Sequence, residues 1–142
     1  MGTPVVRVGE VMQRELRMVG GLATVEEALA AMREHGVNSL IVERRSPDDA
    51  FGIVTMRDIA DRAVAPGKPL GRTAVYEVMT KPALTVSAAM NVRYALRLLT
   101  RLGFGRALVT EGEELVGIVT LRDLVMGFAR AGSDSGSDTS SA

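Results

Sequence analysis

The sequence predicts an α/β protein built from two β-α-β-β-α repeats. The heptapeptide "GIVTMRD" at 52–58 returns as "GIVTLRD" at 117–123. Each copy follows a stretch with apolar residues at helical spacing that ends at a glycine, and then a short apolar run typical of a strand. Self-similarity at a long period indicates that one structural unit occurs twice.

The register of the repeat supports a duplication. "EVMQ" at 10–13 matches "EVMT" at 77–80, and one constant spacing holds as far as a turn. There, "ERRSPDDAF" is two residues longer than "TEGEELV", after which the spacing is constant again. Surface turns accept insertions at a small entropic cost, so a single insertion in a turn fits two copies of one unit.

The elements of the first repeat follow from local signals. "LRMV" (16–19) is a candidate first strand, and Thr24 with Glu27 forms a capping box ahead of a helix that Gly36 ends. The remaining elements are strands at 38–43 and 50–55 and a helix from about Met56 to Ala63.

The second repeat reads in the same order. "ALTV" (83–86) is its first strand, Asn91 is the N-cap of its first helix, and Gly103 ends that helix. The remaining elements are strands at 106–111 and 115–120 and a helix from about Leu121 to Ala129.

The predicted organisation is repeat 1 at 5–64, a Pro- and Gly-rich linker at 65–71, repeat 2 at 72–130 and a disordered tail at 131–142. Units of about 60 residues are marginal on their own. We therefore expect the two repeats to pack sheet to sheet about a pseudo-two-fold axis and to share one core.

Composition narrows the function. The 142 residues carry a formal net charge of zero, with no cysteine and one histidine. A neutral chain without a long apolar run predicts no nucleic-acid or membrane partner, and the chain has the profile of a cytoplasmic protein. The absence of cysteine excludes disulfides, thiolate metal sites and a cysteine nucleophile. No phosphate loop or metalloprotease motif is present, so nothing favours an enzyme, a metal or a bound cofactor.

Two T-x-x-D pairs, Thr55 with Asp58 and Thr120 with Asp123, stand at predicted strand-to-helix junctions. Helix capping alone explains such a pair, and on helix physics it is the favoured interpretation. The alternative is a nucleotide site. A helix start with a threonine hydroxyl can donate to a phosphate, and a carboxylate one turn later can accept from the two hydroxyls of a ribose.

The repeated pattern "EVM…TV…AL…G…GIVT-x-RD" resembles the CBS domain, which usually occurs as a tandem pair called a Bateman module. The resemblance covers about residues 5–130. It implies two clefts that bind adenosyl ligands such as AMP, ADP, ATP or S-adenosylmethionine, and pairing into homodimers. In this resemblance, Thr55 and Thr120 contact phosphate, while Asp58 and Asp123 hold the ribose.

Other family features suggest further contacts. The segment "TKP" resembles the family's wall of the base pocket, which implies pocket roles for Thr80, Lys81 and Pro82. Arg106 and Lys81 are candidates to neutralise a phosphate, although solvated surface charge is the favoured interpretation for both. The sequence departs from the family in lacking a proline in "SLIV" and "RALV", which bears on the pocket wall.

The function predicted from the sequence is a regulatory module, with no catalytic role, that senses adenine nucleotides or S-adenosylmethionine as a homodimer. It would pass occupancy on by a change in shape, with a further protein target unidentified. The rivals are a ligand-free scaffold for dimerisation or docking and, with less support, a nucleotide hydrolase.

Overall fold

The computed structural model describes residues 5–140, with side chains as far as residue 132. It divides into two compact units. The first unit spans Arg17–Ala83, and the second joins Leu84–Ala142 to the chain up to Leu16. In chain order the elements are α1 (Val8–Val11), β1 (Met18–Val19), α2 (Val25–His35), β2 (Ser39–Val42), β3 (Gly52–Thr55), α3 (Met56–Ile59), β4 (Thr85–Ser87), α4 (Val92–Leu102), β5 (Arg106–Glu111), β6 (Glu114–Thr120) and α5 (Leu121–Ser140).

The first unit contains a three-stranded sheet in the order β1-β2-β3. β1 runs parallel to β2, and β2 pairs antiparallel with β3 in a register that sets Ser39 opposite Thr55 and Val42 opposite Gly52. All four residues of β2 are buried, as its unbroken apolar run after the serine predicts.

Helix α2 begins and ends where its capping residues predict. The Thr24 hydroxyl accepts from the backbone N–H of Glu27 at 3.1 Å, and the Glu27 carboxylate accepts from the N–H of Thr24 at 3.1 Å. Gly36 ends the helix in the left-handed conformation at φ 64°, which a residue with a Cβ adopts only with strain. The apolar stripe of Val25, Ala28 and Met32 then lies in the core of the first unit.

The second unit repeats this architecture. Its sheet has the order β4-β5-β6, with β4 parallel to β5 and β5 antiparallel to β6. The Asn91 side chain caps α4 through the N–H of Arg93 at 2.9 Å, and Gly103 ends the helix at φ 74°. The predicted bounds of β5 are those observed. Each unit has a hydrophobic cluster of its own. That the two repeats share a core stays a prediction.

The units divide the chain differently from the sequence repeats. The first residues of repeat 1, up to Leu16, fold with the second unit, where Gln13 exchanges backbone hydrogen bonds of 2.8 and 3.0 Å with Ile118 of β6. The first residues of repeat 2, up to Ala83, fold with the first unit, where Thr80 exchanges backbone hydrogen bonds of 2.8 and 2.9 Å with Ile53 of β3. Sequence similarity defines the repeats at 5–64 and 72–130. These backbone hydrogen bonds show that the first residues of each repeat, its leading segment, pair with the sheet formed mainly by the other repeat.

Two glycines make room for these leading segments. A Cβ on Gly52 would lie 2.9 Å from the sulfur of Met79, and a Cβ on Gly117 would lie 2.6 Å from the sulfur of Met12. Both methionines pack against the core of their unit, as expected for anchoring residues. Glycine at these two strand positions therefore permits the close approach of another segment.

The last helix differs from its prediction. We expected α5 to end near Ala129, but α5 continues to Ser140. The disorder expected of the tail at 131–142 stays a prediction, and its last two residues lie outside the described part of the chain. A helix already begun extends by one hydrogen bond for each residue it adds, without a second nucleation cost. The α-helix after β3 ends at Ile59, short of the predicted end near Ala63, and passes into a π-helical turn at Ala60–Val64.

Within residues 5–140, no helix has the length and apolar character needed to cross a membrane.

Candidate functional site

Thr55 and Asp58 lie where β3 passes into α3. The hydroxyl of Thr55 accepts from the backbone N–H of Asp58 at 3.0 Å, and a carboxylate oxygen of Asp58 accepts from the N–H of Thr55 at 2.9 Å. The pair is a complete capping box, so the capping interpretation holds at this junction. Both residues are partly buried.

Thr120 and Asp123 form the same arrangement where β6 passes into α5. The two bonds again measure 3.0 and 2.9 Å. In both units the cap uses the threonine hydroxyl as an acceptor, which leaves its O–H proton for another partner. The carboxylate likewise keeps acceptor capacity beyond the bond that closes the box. Capping and ligand binding are therefore compatible at both pairs.

The helix starts offer fewer free donors than we expected from a strand-to-helix junction. At the first site the N–H of Met56 donates to Asn38 O at 2.8 Å, and the N–H of Asp58 donates to Thr55. At the second site the N–H of Leu121 donates to Gly105 O at 2.9 Å, and Asp123 again uses its threonine. A phosphate at either site would depend mainly on the threonine hydroxyl and on the remaining amide of the first turn.

A third side chain reaches the aspartate in each unit. The hydroxyl of Thr80 donates to Oδ1 of Asp58 at 3.2 Å, which places this predicted pocket residue beside the first pair. In the second unit the side-chain amide of Gln13 donates to Oδ2 of Asp123 at 2.9 Å. Sequence reasoning missed Gln13. The available signal was its alignment with Thr80 in "EVMQ" and "EVMT".

Lys81 pairs with a carboxylate in the first unit. Its ammonium nitrogen lies 2.7 Å from Oδ2 of Asp49, which also accepts from the backbone and the guanidinium of Arg45 at 3.0 and 3.1 Å. The hydrogen bond from Lys81, and then those from Arg45, hold the pKa of Asp49 well below its usual range. Lys81 thus has a carboxylate partner in the turn that carries the two-residue insertion, and Pro82 follows it through a cis peptide bond.

Arg106 stands in the second unit. It opens β5 and is paired across the strands with Thr120, so its Cα neighbours the second T-x-x-D pair. The matched position in the first unit is Ser39, the cross-strand partner of Thr55. The side chain of Arg106 is half-buried and has an interaction partner of its own.

Each unit also contains a cavity at the opposite end of its sheet. In the first unit a cavity of about 620 Å³ is lined by residues that include Val42, Tyr76 and Met79. The matched cavity of the second unit has about 470 Å³ and is lined by residues that include Met12 and Ala88. Val42, which lines the first cavity, pairs with Gly52 at the start of β3, whereas Ser39 pairs with Thr55 at the end of β3. The first cavity therefore does not coincide with the T-x-x-D pair.

No metal centre is apparent among the residues that the structure describes, since no three or more His, Cys, Asp or Glu side chains come together there in a way that could hold an ion.

Comparison with known proteins agrees with the two-fold repeat of this geometry. The model of the CBS domain matches residues 8–65 and again residues 75–130. The chain belongs to the CBS domain family. Both T-x-x-D pairs lie inside the matched regions, and the two CBS repeats together account for most of the described chain.

Individual relatives share this organisation. The chain is 33% identical over 121 residues to the uncharacterized protein MK0525 of Methanopyrus kandleri, covering 84% of this chain and 61% of that protein. It is 31% identical over 119 residues to the CBS domain-containing protein YhcV of Bacillus subtilis, covering 84% and 83%. The hexameric CBS-CP12 protein from bloom-forming cyanobacteria superposes with a TM-score of 0.83 at 35% identity, covering 88% of this chain and 73% of that one. The chain thus spans less than two thirds of MK0525.

Proposed function

We propose that this CBS pair is a regulatory module that binds an adenosyl ligand, either an adenine nucleotide (AMP, ADP or ATP) or S-adenosylmethionine. The observation that carries the proposal is the duplicate T-x-x-D pair, with the same bond lengths at Thr55–Asp58 and Thr120–Asp123. Each pair keeps a free hydroxyl proton for a phosphate and free carboxylate lone pairs for ribose hydroxyls.

Regulation requires that the ligand bind two states of the module with different affinity. The T-x-x-D pairs stand at the first turn of α3 and α5, so a ligand held there would pull on a helix start. The occupied state would then differ in how these helices are presented to a partner. No chemical step is needed for this role, and we propose no catalytic activity, resident cofactor or nucleic-acid partner.

We further propose that the chain forms a homodimer through the second unit. Tyr94 and Leu102 of α4 are 58% and 49% exposed, and Val125 and Met126 of α5 are 50% and 47% exposed. The two helices pack against each other, and we propose that these exposed side chains belong to one apolar face. The matched positions of the first repeat are Glu27, His35, Ala60 and Asp61. An apolar face of this kind on one repeat favours association with a second copy.

A ligand-free scaffold is the second candidate, because both capping boxes are complete without a ligand. Calorimetric titration of AMP, ATP and S-adenosylmethionine separates the two functions. Wild type is expected to bind at least one of them saturably, and Asp58→Asn combined with Asp123→Asn is expected to abolish that binding, since a neutral amide is a weaker acceptor for ribose hydroxyls.

A matched control is available in α2. Glu27→Gln alters a capping box of the same geometry that lies outside both proposed sites. It should cost about as much stability as either aspartate substitution alone and leave the titration unchanged. Absence of binding by wild type at millimolar concentration of all three ligands would favour the scaffold. Conversion of ATP to product during incubation would contradict the absence of catalysis.

A further inference from the structure

Gln13 and Thr80 follow Met12 and Met79 at matched positions, and each side chain contacts the aspartate of its unit in a different way. Thr80 donates one hydrogen bond to Asp58, and Gln13 donates one to Asp123. The number of bonds at each carboxylate is equal. What differs is the oxygen that receives them.

At Asp58 the bonds are shared between the two oxygens. Oδ2 accepts from the backbone N–H of Thr55 at 2.9 Å, and Oδ1 accepts from the hydroxyl of Thr80 at 3.2 Å. A carboxylate oxygen has about two acceptor positions. Each oxygen of Asp58 therefore keeps one.

At Asp123 both bonds fall on one oxygen. Oδ2 accepts from the backbone N–H of Thr120 at 2.9 Å and from Nε2 of Gln13 at 2.9 Å. A further donor to Oδ2 would have to compete with these two bonds, whereas Oδ1 keeps its full acceptor capacity.

A vicinal diol such as that of a ribose binds a carboxylate most strongly when each hydroxyl donates to a different oxygen. Asp58 offers an open position on each oxygen for this arrangement. At Asp123, by contrast, a hydroxyl on Oδ2 would compete with the bonds from Gln13 and Thr120 and bind more weakly. We propose that Gln13 makes the two sites unequal, so that a ribosyl ligand is bound through both oxygens at Asp58 and through one oxygen at Asp123. The proposal rests on the proposed function and specifies which of its two sites fills first.

The side chains involved allow a reciprocal test. Gln13 is exposed and Thr80 is half-buried at the surface, so exchanging them should leave the fold intact, which a thermal melt verifies. Gln13→Thr gives the second site the donor found in the first, and Thr80→Gln gives the first site the donor found in the second.

Calorimetry with AMP as the probe measures the outcome. Wild type is expected to show a tighter site that Asp58→Asn removes and a site roughly tenfold weaker that Asp123→Asn removes, the size expected for one hydrogen bond to a charged group. Gln13→Thr should tighten the weaker site by about that factor, and Thr80→Gln should weaken the tighter site by about that factor. Gln13→Ala, which only removes the amide, should also tighten the second site.

Titration with 2′-deoxy-AMP adds a readout that a purely structural role of Gln13 would not move. Loss of one hydroxyl should weaken the Asp58 site by about tenfold and change the Asp123 site of wild type by much less. In Gln13→Thr the Asp123 site should become equally sensitive to the deoxy substitution.

Three results would overturn the inference and leave the proposed function standing. These are equal affinities at the two sites in wild type, a tighter site assigned to Asp123, or a second site that Gln13→Thr does not change. If neither AMP, ATP nor S-adenosylmethionine binds wild type or Gln13→Thr, the proposed function fails and the inference fails with it.

Discussion

The two units build the same T-x-x-D pair and surround it with different side chains. In the first unit the neighbours are Thr80 and Ser39, and in the second they are Gln13 and Arg106. The distances inside the pair agree because strand end, cap and first helical turn set them locally. The leading segment and the cross-strand neighbour are set by tertiary pairing, and there the two copies diverge.

The divergence suggests that the units have separate tasks. The first unit has the carboxylate with one acceptor position left on each oxygen. The second unit has an arginine across from its threonine and an apolar face on α4 and α5. Under the proposed function, the first copy would mainly hold the ligand and the second copy would mainly hold the partner. The following substitutions test that division, from the largest expected effect to the smallest.

The approach of a neighbouring backbone distinguishes Gly117 from Gly52. A Cβ on Gly117 would meet the backbone oxygen of Gln13 at 2.8 Å, whereas on Gly52 the nearest backbone atom, Thr80 O, would lie at 3.4 Å. A methionine side chain can move aside, but the backbone of Gln13 cannot, because hydrogen bonds to Ile118 hold it against β6. Gly117→Ala should therefore destabilise by about 1–3 kcal/mol and Gly52→Ala by less, measured by urea unfolding.

Gly105→Ala is the matched control for these glycines, because a Cβ there would have no atom within 4 Å. It should be neutral or slightly stabilising, since alanine reduces the entropy of the unfolded chain. Equal losses at Gly52 and Gly117 would contradict a tighter approach in the second unit. Gly117→Ala should also weaken the contact of Gln13 with Asp123, since the same segment must shift.

The apolar face gives the next effect. Tyr94→Glu together with Met126→Asp gives α4 and α5 the residue types found at the matched positions of the first repeat, Glu27 and Asp61. Because each buried large apolar side chain contributes about 1.5–3 kcal/mol, the dimer should weaken by at least about tenfold, measured by sedimentation equilibrium. Ala30→Glu adds a charge to the exposed face of α2 and should leave association unchanged.

Two outcomes bear on this face. Dissociation by Ala30→Glu alone would move the interface to the first unit. A larger assembly that survives the double substitution would instead resemble the hexameric state of the cyanobacterial CBS-CP12 protein and would contradict a dimer held by α4 and α5.

Local signals predicted much of this fold. The capping boxes, the glycine stops at Gly36 and Gly103, and β5 at Arg106–Glu111 all depend on neighbours within a few residues. The exchange of leading segments was not predicted, because it depends on which strand edge each segment reaches in space. Gln13 was missed for the same reason, since its partner Asp123 is remote in sequence. The four T-x-x-D residues were named from sequence, but their role in ligand binding stays a prediction.

The caps themselves should contribute equally in the two units. Thr55→Ala and Thr120→Ala each remove one acceptor at a helix start and should cost about 1 kcal/mol in thermal or chemical unfolding. Thr24→Ala, which removes the cap of α2 outside either site, provides the scale. Serine at either position keeps the hydroxyl and should retain most of the stability. A loss at Thr120 far below that at Thr55 would show that α5 holds its start by other means.

The smallest effect belongs to the turn that only the first repeat has in its longer form. The pKa of Asp49 is lowered in the folded protein by hydrogen bonds from Lys81 and Arg45, so its charged form stabilises the fold. That contribution is complete above the ordinary aspartate pKa of about 3.9 and is lost as the pH falls from there towards the lowered pKa. Asp49→Asn should therefore melt below wild type at pH 7, and this gap in melting temperature should narrow as the pH falls below about 3.9.

Asp48→Asn is the control, because it changes the adjacent exposed carboxyl and should show no such gap. A difference for Asp49→Asn that stays constant down to low pH would mean that the turn is held by the shape of this side chain and not by its charge.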